Sequence, residues 1–346
     1  MDGLMRAGVM TATGGRGVTA RAYPNIALVK YWGKRDEKWM LPVTGSLSMT
    51  LDLFPTTTRV ELVPDAATDV VRFNGGSAED VTADRIRRFL EVVRALAGRS
   101  AHAIVESVNT VPTAAGLASS AAGFAALAVA AASVYGLCLD GRALSRLARR
   151  GSGSACRSVF GGFVQWHAGL AEGRMGDKTS YAEPVPVGAL DPALVITVVD
   201  PGPKRVPSRQ AMRHTQATSP LYGAWARAGE ADLGELRRAL RQGDLDRAGM
   251  IAERNALGMH ASMLAARPAI RYLTGGSLAV LDRVARLREQ GVPAHATIDA
   301  GPNVAVLCPR QDAAGVAQEL GAIGDVQSVH IAGPGPAATV CGGEDR

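Results

Sequence analysis

Apolar residues along this chain fall into two spacings, and the spacing predicts the elements. Ile86, Phe89, Leu90, Val93 and Leu96 recur at helical intervals after Thr82, with Arg85, Arg88 and Glu91 on the face turned to solvent. Residues 144–150 repeat the pattern briefly, and helices are predicted again over 221–241, 244–261, 277–290 and from Asp312. Short β-prone runs predict strands at 26–31, 57–63, 70–73, 103–108, 160–167, 194–199, 295–298, 304–307 and near Val329. The run at 70–73 closes on the turn signal Asn74-Gly75. From Ala121 to Leu139 the chain is mostly alanine, interrupted by Gly123, Ser133, Tyr135 and Gly136, which fits a core helix and not a bilayer span.

The order of these elements bounds the architecture. After a composition shift at 184–192 the chain runs strand, helices, paired strands, helix, strand, the order of a ferredoxin-like sandwich with extra helices. This predicts an α+β protein of two domains, 21–187 and 188–346, behind a loose tail over 1–20 that has no apolar run long enough for a signal peptide.

Composition narrows the partners. With 346 residues, 47% of them hydrophobic and 20% charged, the chain can build ordinary cores, and its net charge of +6 favours a small anionic ligand. No basic block interleaved with aromatics is present, so nucleic acid is not expected. Five lysines stand against 33 arginines, yet Lys30, Lys34 and Lys38 fall within nine residues, which sets that cluster apart from a solvated surface. The four cysteines form no C-x-x-C pair and no metal-ligand spacing with the six histidines, so reduced thiols in a cytosolic protein are expected and no metal ligands can be assigned.

Three stretches carry candidate chemistry. NTVPTAAGLASSAAG, residues 109–123, feeds a small-residue loop into a helix, where free backbone N–H groups and the hydroxyls of Ser119 and Ser120 suit a polyphosphate. As a plain pattern it is equally an Ala-rich core helix with a serine cap. No Gly-Lys-Ser or Gly-Lys-Thr occurs, so a Walker loop is unsupported. GSGSACRS, from Gly151, offers the hydroxyls of Ser152 and Ser154 and the planar fork of Arg157 as a second anion seat, or else a glycine-rich helix cap. DAGPN, residues 299–303, lies between two strands and is by composition a turn.

These strings resemble those of one family. Pro112, Gly116, Leu117, Ser119 and Ser120 match the P-x-x-x-G-L-x-S-S loop of the GHMP kinase superfamily, and YWGKRD after Asn25, GSGSACRS, NALGMHASM and TIDAGPNVAVL are similar to segments of its mevalonate diphosphate decarboxylase branch. LPVTGSLSMTLD resembles a further segment but departs from it at Thr44 and Gly45, to which no role is given. The likeness runs from about Ala22 to Leu307. It implies a GHMP kinase-like fold, with an N-terminal ribosomal-protein-like βα domain and a C-terminal ferredoxin-like sandwich. It also implies ATP-dependent decarboxylation of mevalonate 5-diphosphate to isopentenyl diphosphate, with ATP on Pro112, Ala115, Gly116, Leu117, Ala118, Ser119 and Ser120 and with Mg²⁺ accompanying it. Tyr31, Trp32, Gly33, Lys34, Ser152, Gly153, Ser154, Ala155, Cys156, Arg157 and, from a connecting loop, Arg209 are the implied substrate contacts. Asp299 would face the tertiary hydroxyl, with Lys30 and Arg157 at the reacting end. The family commonly forms homodimers, so a cytoplasmic homodimer without membrane or nucleic-acid contacts is expected. Rival readings are a kinase that stops at phosphorylation, a monophosphate decarboxylase, or a non-catalytic nucleotide-binding regulator on the same scaffold.

Overall fold

The structure is a computed structural model that describes residues 17–110, 119–200, 202 and 205–341. Of the tail expected over 1–20, residues 1–16 lie outside the described residues, and Val18–Ala22 is a strand held between Thr56–Val63 and Thr339–Val340. The expected nucleotide-loop residues Pro112, Ala115, Gly116, Leu117 and Ala118 also lie outside the described residues.

Three sheets organise the molecule. The first has six strands in the order Thr339–Val340, Val18–Ala22, Thr56–Val63, His102–Asn109, Val70–Phe73, Gly76–Ser77, antiparallel except where Val70–Phe73 runs beside His102–Asn109. Its inner face packs against the helices Asp80–Ala97 and Ser119–Val134. Alanines at 121, 125 and 128 are fully buried there, and their small size lets that helix lie close to the sheet. Because nearly all of its middle residues are buried, from Ala121 to Ala132, its sequence shows no polar stripe.

The second sheet, ordered Ala182–Pro184, Phe163–Trp166, Ser46–Thr50, Asn25–Val29, is antiparallel and occupies the middle of the molecule. The third runs His295–Ile298, Val304–Pro309, Pro192–Val198, Ser328–Ala332, which is the strand order of the ferredoxin-like sandwich. Both its faces are covered, so alternate residues of one strand enter different cores. Leu194 and Ile196 meet Leu236, Leu240 and Ile251 from the helices Tyr222–Gln242 and Leu245–Leu264. Ala193 and Val195 meet Val280, Val284 and Val316 from Gly275–Glu289 and Ala313–Gly321.

The C-terminal end passes the second sheet, where Gly335 N–H donates to the Thr50 carbonyl at 2.7 Å, and returns to the first, where Thr339–Val340 pairs with Val18–Ala22. The second and third sheets meet at the end of Asn25–Val29. Thr297 Oγ1 donates to the Ala27 carbonyl at 3.0 Å, and Lys30 N–H donates to Asn255 Oδ1 at 2.8 Å. That junction positions the site.

Two local expectations are corrected. The charged turn after residue 31 contains a strand, Lys34–Asp36, paired with Leu41–Pro42. Arg209 sits in the first turn of a helix, Ser208–Thr218, and not in a loop, because Ala211, Met212 and Thr215 give that segment a buried face.

Candidate active site

Lys30 is the deepest element of the site. Its side chain is 2% exposed, and its ammonium donates to the Ala27 carbonyl at 2.8 Å and pairs with Asp299 Oδ1 at 2.7 Å. Burial lowers the lysine's pKa, and Asp299 opposes that shift by favouring the charged form. The backbone N–H of Lys30 is fixed by Asn255, whose amide N–H in turn donates to Asp232 Oδ2 at 2.8 Å and so cannot rotate freely. Behind Asp299, the neutral His260 donates Nε2–H to the Asp299 carbonyl at 3.2 Å; burial first, then the Lys30 charge, push its pKa down to about 4. Asp299 itself is 45% exposed at the side chain, so the pair presents a carboxylate outward over a buried cation.

A cavity of about 410 Å³ opens above this pair. Lys30, Tyr31, Trp32, Lys34, Ser120, Ser152, Gly153, Ser154, Arg157, Arg209 and Asp299, eleven residues expected from the sequence, line it together. Arg157 is enclosed, its guanidinium donating to Ser46 Oγ at 2.6 Å, Ser48 Oγ at 2.9 Å and Asn25 Oδ1 at 3.0 Å. Burial lowers its pKa, since none of these neutral acceptors replaces lost hydration of the charge. The Tyr31 ring packs edge-on to Trp166 at 4.7 Å, and its buried hydroxyl has no hydrogen-bond partner among the described residues. Lys34 donates to Glu37 Oε2 at 2.8 Å while Arg213 Nε donates to the other Glu37 oxygen at 2.8 Å. The two cations hold the Glu37 carboxyl at a pKa of about 2, with the Arg213 hydrogen bond the largest cause.

Three expected contacts are placed elsewhere. Ala155 and Cys156 turn into the cores, and burial raises the Cys156 thiol to about 12, so neither side chain faces the cavity. Gly33 adopts φ of 120°, with the Tyr222 side chain where a Cβ would stand and Tyr222 Oη donating to the Trp32 carbonyl at 2.9 Å. It shapes the chain beside the cavity without lining it.

The sequence pattern missed several residues. Arg85, expected on the solvent face, lies half-buried over the Phe124 ring at 4.9 Å and reaches the cavity. Asn25, Ser46 and Ser48 hold Arg157; the signal for them was a pair of hydroxyls two apart in a fully buried strand, Ser46–Thr50, which no core position needs. Asn255 and His260 lie in the string NALGMHASM, which carried the resemblance but was given no role, and Glu37 had no comparable signal.

A second cavity, about 530 Å³, lies beside the first under Phe73, Asn74, Ser107 and Phe124. Arg85 and Ser120 line both. Ser120 Oγ stands 3.4 Å from Ser152 Oγ, tying the helix start to the second anion seat. A shallower cleft of about 680 Å³ lies elsewhere, where Arg288 pairs with Glu253 and His295 contacts Asp246.

A first sheet with an Ala-rich helix, a ferredoxin-like second half and a cationic cavity between them define a two-domain α+β protein of the GHMP kinase type. Residues 22–182 match the diphosphomevalonate decarboxylase-like N-terminal domain, and residues 194–330 match the mevalonate 5-diphosphate decarboxylase C-terminal domain. The chain belongs to the mevalonate diphosphate decarboxylase family. It is 39% identical over 311 residues to the human diphosphomevalonate decarboxylase, covering 84% of this chain and 76% of that one. The Candida albicans relative is 36% identical over 298 residues, covering 82% and 81%. Among solved structures, mevalonate diphosphate decarboxylase from Staphylococcus aureus superposes with a TM-score of 0.90 at 37% identity, covering 95% of this chain and 98% of that one. A structure in complex with MVAPP, AMPPCP and magnesium gives 0.89 at 41% identity, covering 95% and 99%.

Proposed function

We propose that this chain decarboxylates mevalonate 5-diphosphate at the expense of ATP, releasing isopentenyl diphosphate, ADP, phosphate and carbon dioxide. The Lys30–Asp299 pair carries the reading: a carboxylate salt-bridged to a buried ammonium, on the floor of a cavity walled by guanidinium and hydroxyl groups. Asp299 takes the proton of the tertiary hydroxyl as its oxygen bonds to the γ-phosphorus, and the electron pair of the breaking P–O bond stays with ADP. The new 3-phosphate then leaves with its C–O pair. The pair of the C1–C2 bond becomes the alkene and C1 departs as carbon dioxide, while Asp299 offsets positive charge at the tertiary carbon.

Arg157 grips the C1 carboxylate from its Asn25, Ser46 and Ser48 cradle. The partnerless Tyr31 hydroxyl, with Lys34, Ser152, Ser154 and Arg209, holds the diphosphate. The second cavity takes the nucleotide base, because it adjoins the helix start at Ser120. The family resemblance assigns the nucleotide phosphates to the loop Pro112 to Ser119. Among the described residues no group of three His, Cys, Asp or Glu side chains is able to hold a metal, so Mg²⁺ would arrive on the nucleotide with Ser120 as the nearest hydroxyl candidate, supplying charge neutralisation. Cys156, Cys308 and Cys341, which form no disulfide among the described residues, and the family's habit support a cytoplasmic homodimer, and no described helix is long and apolar enough to cross a membrane.

The test is a coupled assay of ADP and carbon dioxide release with mevalonate, its 5-phosphate and its 5-diphosphate. The 5-diphosphate is expected to show by far the highest kcat/KM. ADP without carbon dioxide would make the chain a kinase. An equal or higher kcat/KM with the 5-phosphate would make it a monophosphate decarboxylase, and no turnover of any form would leave a nucleotide-binding regulator.

A further inference from the structure

Asp232, on the helix Tyr222–Gln242, is a buried carboxylate with two different partners. Its Oδ1 accepts from the Arg254 guanidinium, at 2.8 Å from Nε and 2.7 Å from Nη2, and Arg254 lies on the shallower outer cleft. Its Oδ2 accepts in the interior from Asn255 Nδ2 at 2.8 Å. Asn255 offers its own oxygen to the Lys30 backbone N–H at 2.8 Å, and the Lys30 ammonium reaches Asp299. One line of hydrogen bonds thus joins a surface arginine to the Lys30–Asp299 pair.

The groups in this line cannot exchange places. Lys30 stands just past the strand Asn25–Val29, so its buried N–H needs an acceptor from outside the sheet. An asparagine amide presents an acceptor at one end and donors at the other, and turning it over would set N–H against N–H. The Arg254-paired carboxylate of Asp232 takes hydrogen bonds and so claims the donor end, which leaves the oxygen for Lys30. The effect reaches the ammonium, because Lys30 Nζ donates back to the Ala27 carbonyl at 2.8 Å and closes a turn whose backbone Asn255 holds. The same carbonyl takes Thr297 Oγ1 at 3.0 Å, which seats the turn against the strand His295–Ile298 that leads into Asp299.

We propose that Asp232 is a positioning residue for the reaction: it sets the orientation of Asn255, and through Asn255 the place of the Lys30 ammonium against Asp299. Asp232 lines neither the cavity assigned to the substrate nor the one assigned to the nucleotide, and it exchanges no proton. Displacing a catalytic group by about 1 Å from a distance costs about 10² in rate, and it leaves binding intact where that group is not what holds the ligand. The kinetic part of this inference rests on the decarboxylase reading above, whereas the hold on Lys30 can be followed in the folded protein without turnover.

The experiment uses the full chain with Asp232→Leu, Asp232→Asn, Asn255→Leu and the double variant of Asp232→Leu with Asn255→Leu. Leu is close to Asp in size and accepts nothing, and Arg254 keeps Glu235, at 3.1 Å, as its partner. Asn loses the charge but keeps an oxygen for the Asn255 amide. Steady-state kinetics are measured beside amide hydrogen exchange of a peptide spanning Lys30. In Asp232→Leu, kcat should fall by about 10 to 10², with the KM of substrate and of ATP within about threefold of wild type. The Lys30 peptide should exchange faster in that variant. Asp232→Asn should recover most of both losses, and the double variant should be no slower than Asn255→Leu, because the two residues act in one line.

Normal kcat or normal exchange in Asp232→Leu would overturn the proposal and leave Asp232 as the partner of Arg254 alone. Losses that multiply in the double variant, or an Asp232→Asn as slow as Asp232→Leu, would also overturn it, by assigning the effect to the lost charge. Should Asp232→Leu not fold, Asp232→Ala takes its place under the same two readouts. A wild type that releases no carbon dioxide would refute the decarboxylase reading, while exchange at the Lys30 peptide would still decide whether Asp232 holds that residue.

Discussion

Lys30 and Asp299 are 269 residues apart in sequence and 2.7 Å apart in space, joined where Asn25–Val29 and His295–Ile298 end side by side. The cation of the pair is buried and the carboxylate faces the cavity. A buried ammonium needs its counter-charge, so this contact ties the two halves of the chain together.

Asp299→Asn keeps one acceptor for Lys30 but offers no base and no negative charge. ADP release and carbon dioxide release should fall together by about 10² to 10⁴ or beyond, the usual contribution of a general base plus lost electrostatics. With the carboxylate gone, the Lys30 pKa drops further, because Asp299 is what opposes the desolvation shift. Rapid ADP formation without carbon dioxide in the variant would confine Asp299 to the second step.

Arg157→Lys tests a residue for which the motif alone suggested binding without a structural role. The structure gives it both. Its guanidinium satisfies Asn25, Ser46 and Ser48 in a fully enclosed position, and a lysine cannot reach all three from one point. Each charged hydrogen bond lost costs about 1.5 to 3 kcal/mol, so thermal melting should fall by several degrees while substrate KM rises. Unchanged melting in a differential scan would show the cradle adapting to the lysine.

This difference marks what was legible in the sequence. The strings around Lys30, Ser152 and Asp299 are local, each carrying several chemical groups on one short segment, so the pattern alone gathers most of the cavity. Ser46, Ser48 and Asn255 act across more than 100 residues, and nothing local in a serine reports that an arginine will fold onto it. Arg85 failed for a different reason. Helical periodicity gives the face of a side chain, but a solvent-turned face becomes a cavity wall when another element, here the segment at Gly151, covers it.

His260 predicts an acid-side loss of stability. Its folded pKa of about 4 lies below the usual 6.5, so between those values the unfolded chain binds the extra proton. Stability from this group is therefore full above about pH 6.5 and declines as pH falls to about 4, by about 3 kcal/mol. Glu37 acts lower: its depressed carboxyl contributes above the ordinary 4.5 and loses that contribution as pH falls toward about 2. Urea melts at pH 7.5, 6.5, 5 and 4 should show the first decline in the wild type and a flatter profile in His260→Gln, whose amide still donates to the Asp299 carbonyl. Equal slopes would mean that His260 titrates alike in both states.

Gly153→Ala separates substrate binding from chemistry. A Cβ on Gly153 would stand 2.8 Å from Tyr31 Cε1 and 2.9 Å from its hydroxyl, closer than such atoms approach. The Tyr31 ring has little room to retreat, since Trp166 lies edge-on behind it at 4.7 Å. Either the ring tilts and its hydroxyl leaves the cavity, or the turn Gly153–Val159 shifts and carries Ser154 and Arg157 with it. Both movements spoil the anion seat and leave Lys30 and Asp299 untouched. Substrate KM should therefore rise about tenfold, equivalent to about 1.4 kcal/mol, with ATP KM unchanged and kcat affected far less. Tyr31→Phe, which deletes only the hydroxyl, decides between the two movements. A rise matching that of Gly153→Ala assigns the loss to the hydroxyl, and a smaller one assigns it to the displaced serine and arginine. Wild-type kinetics in both variants would remove Tyr31 from substrate contact and leave its hydroxyl merely buried.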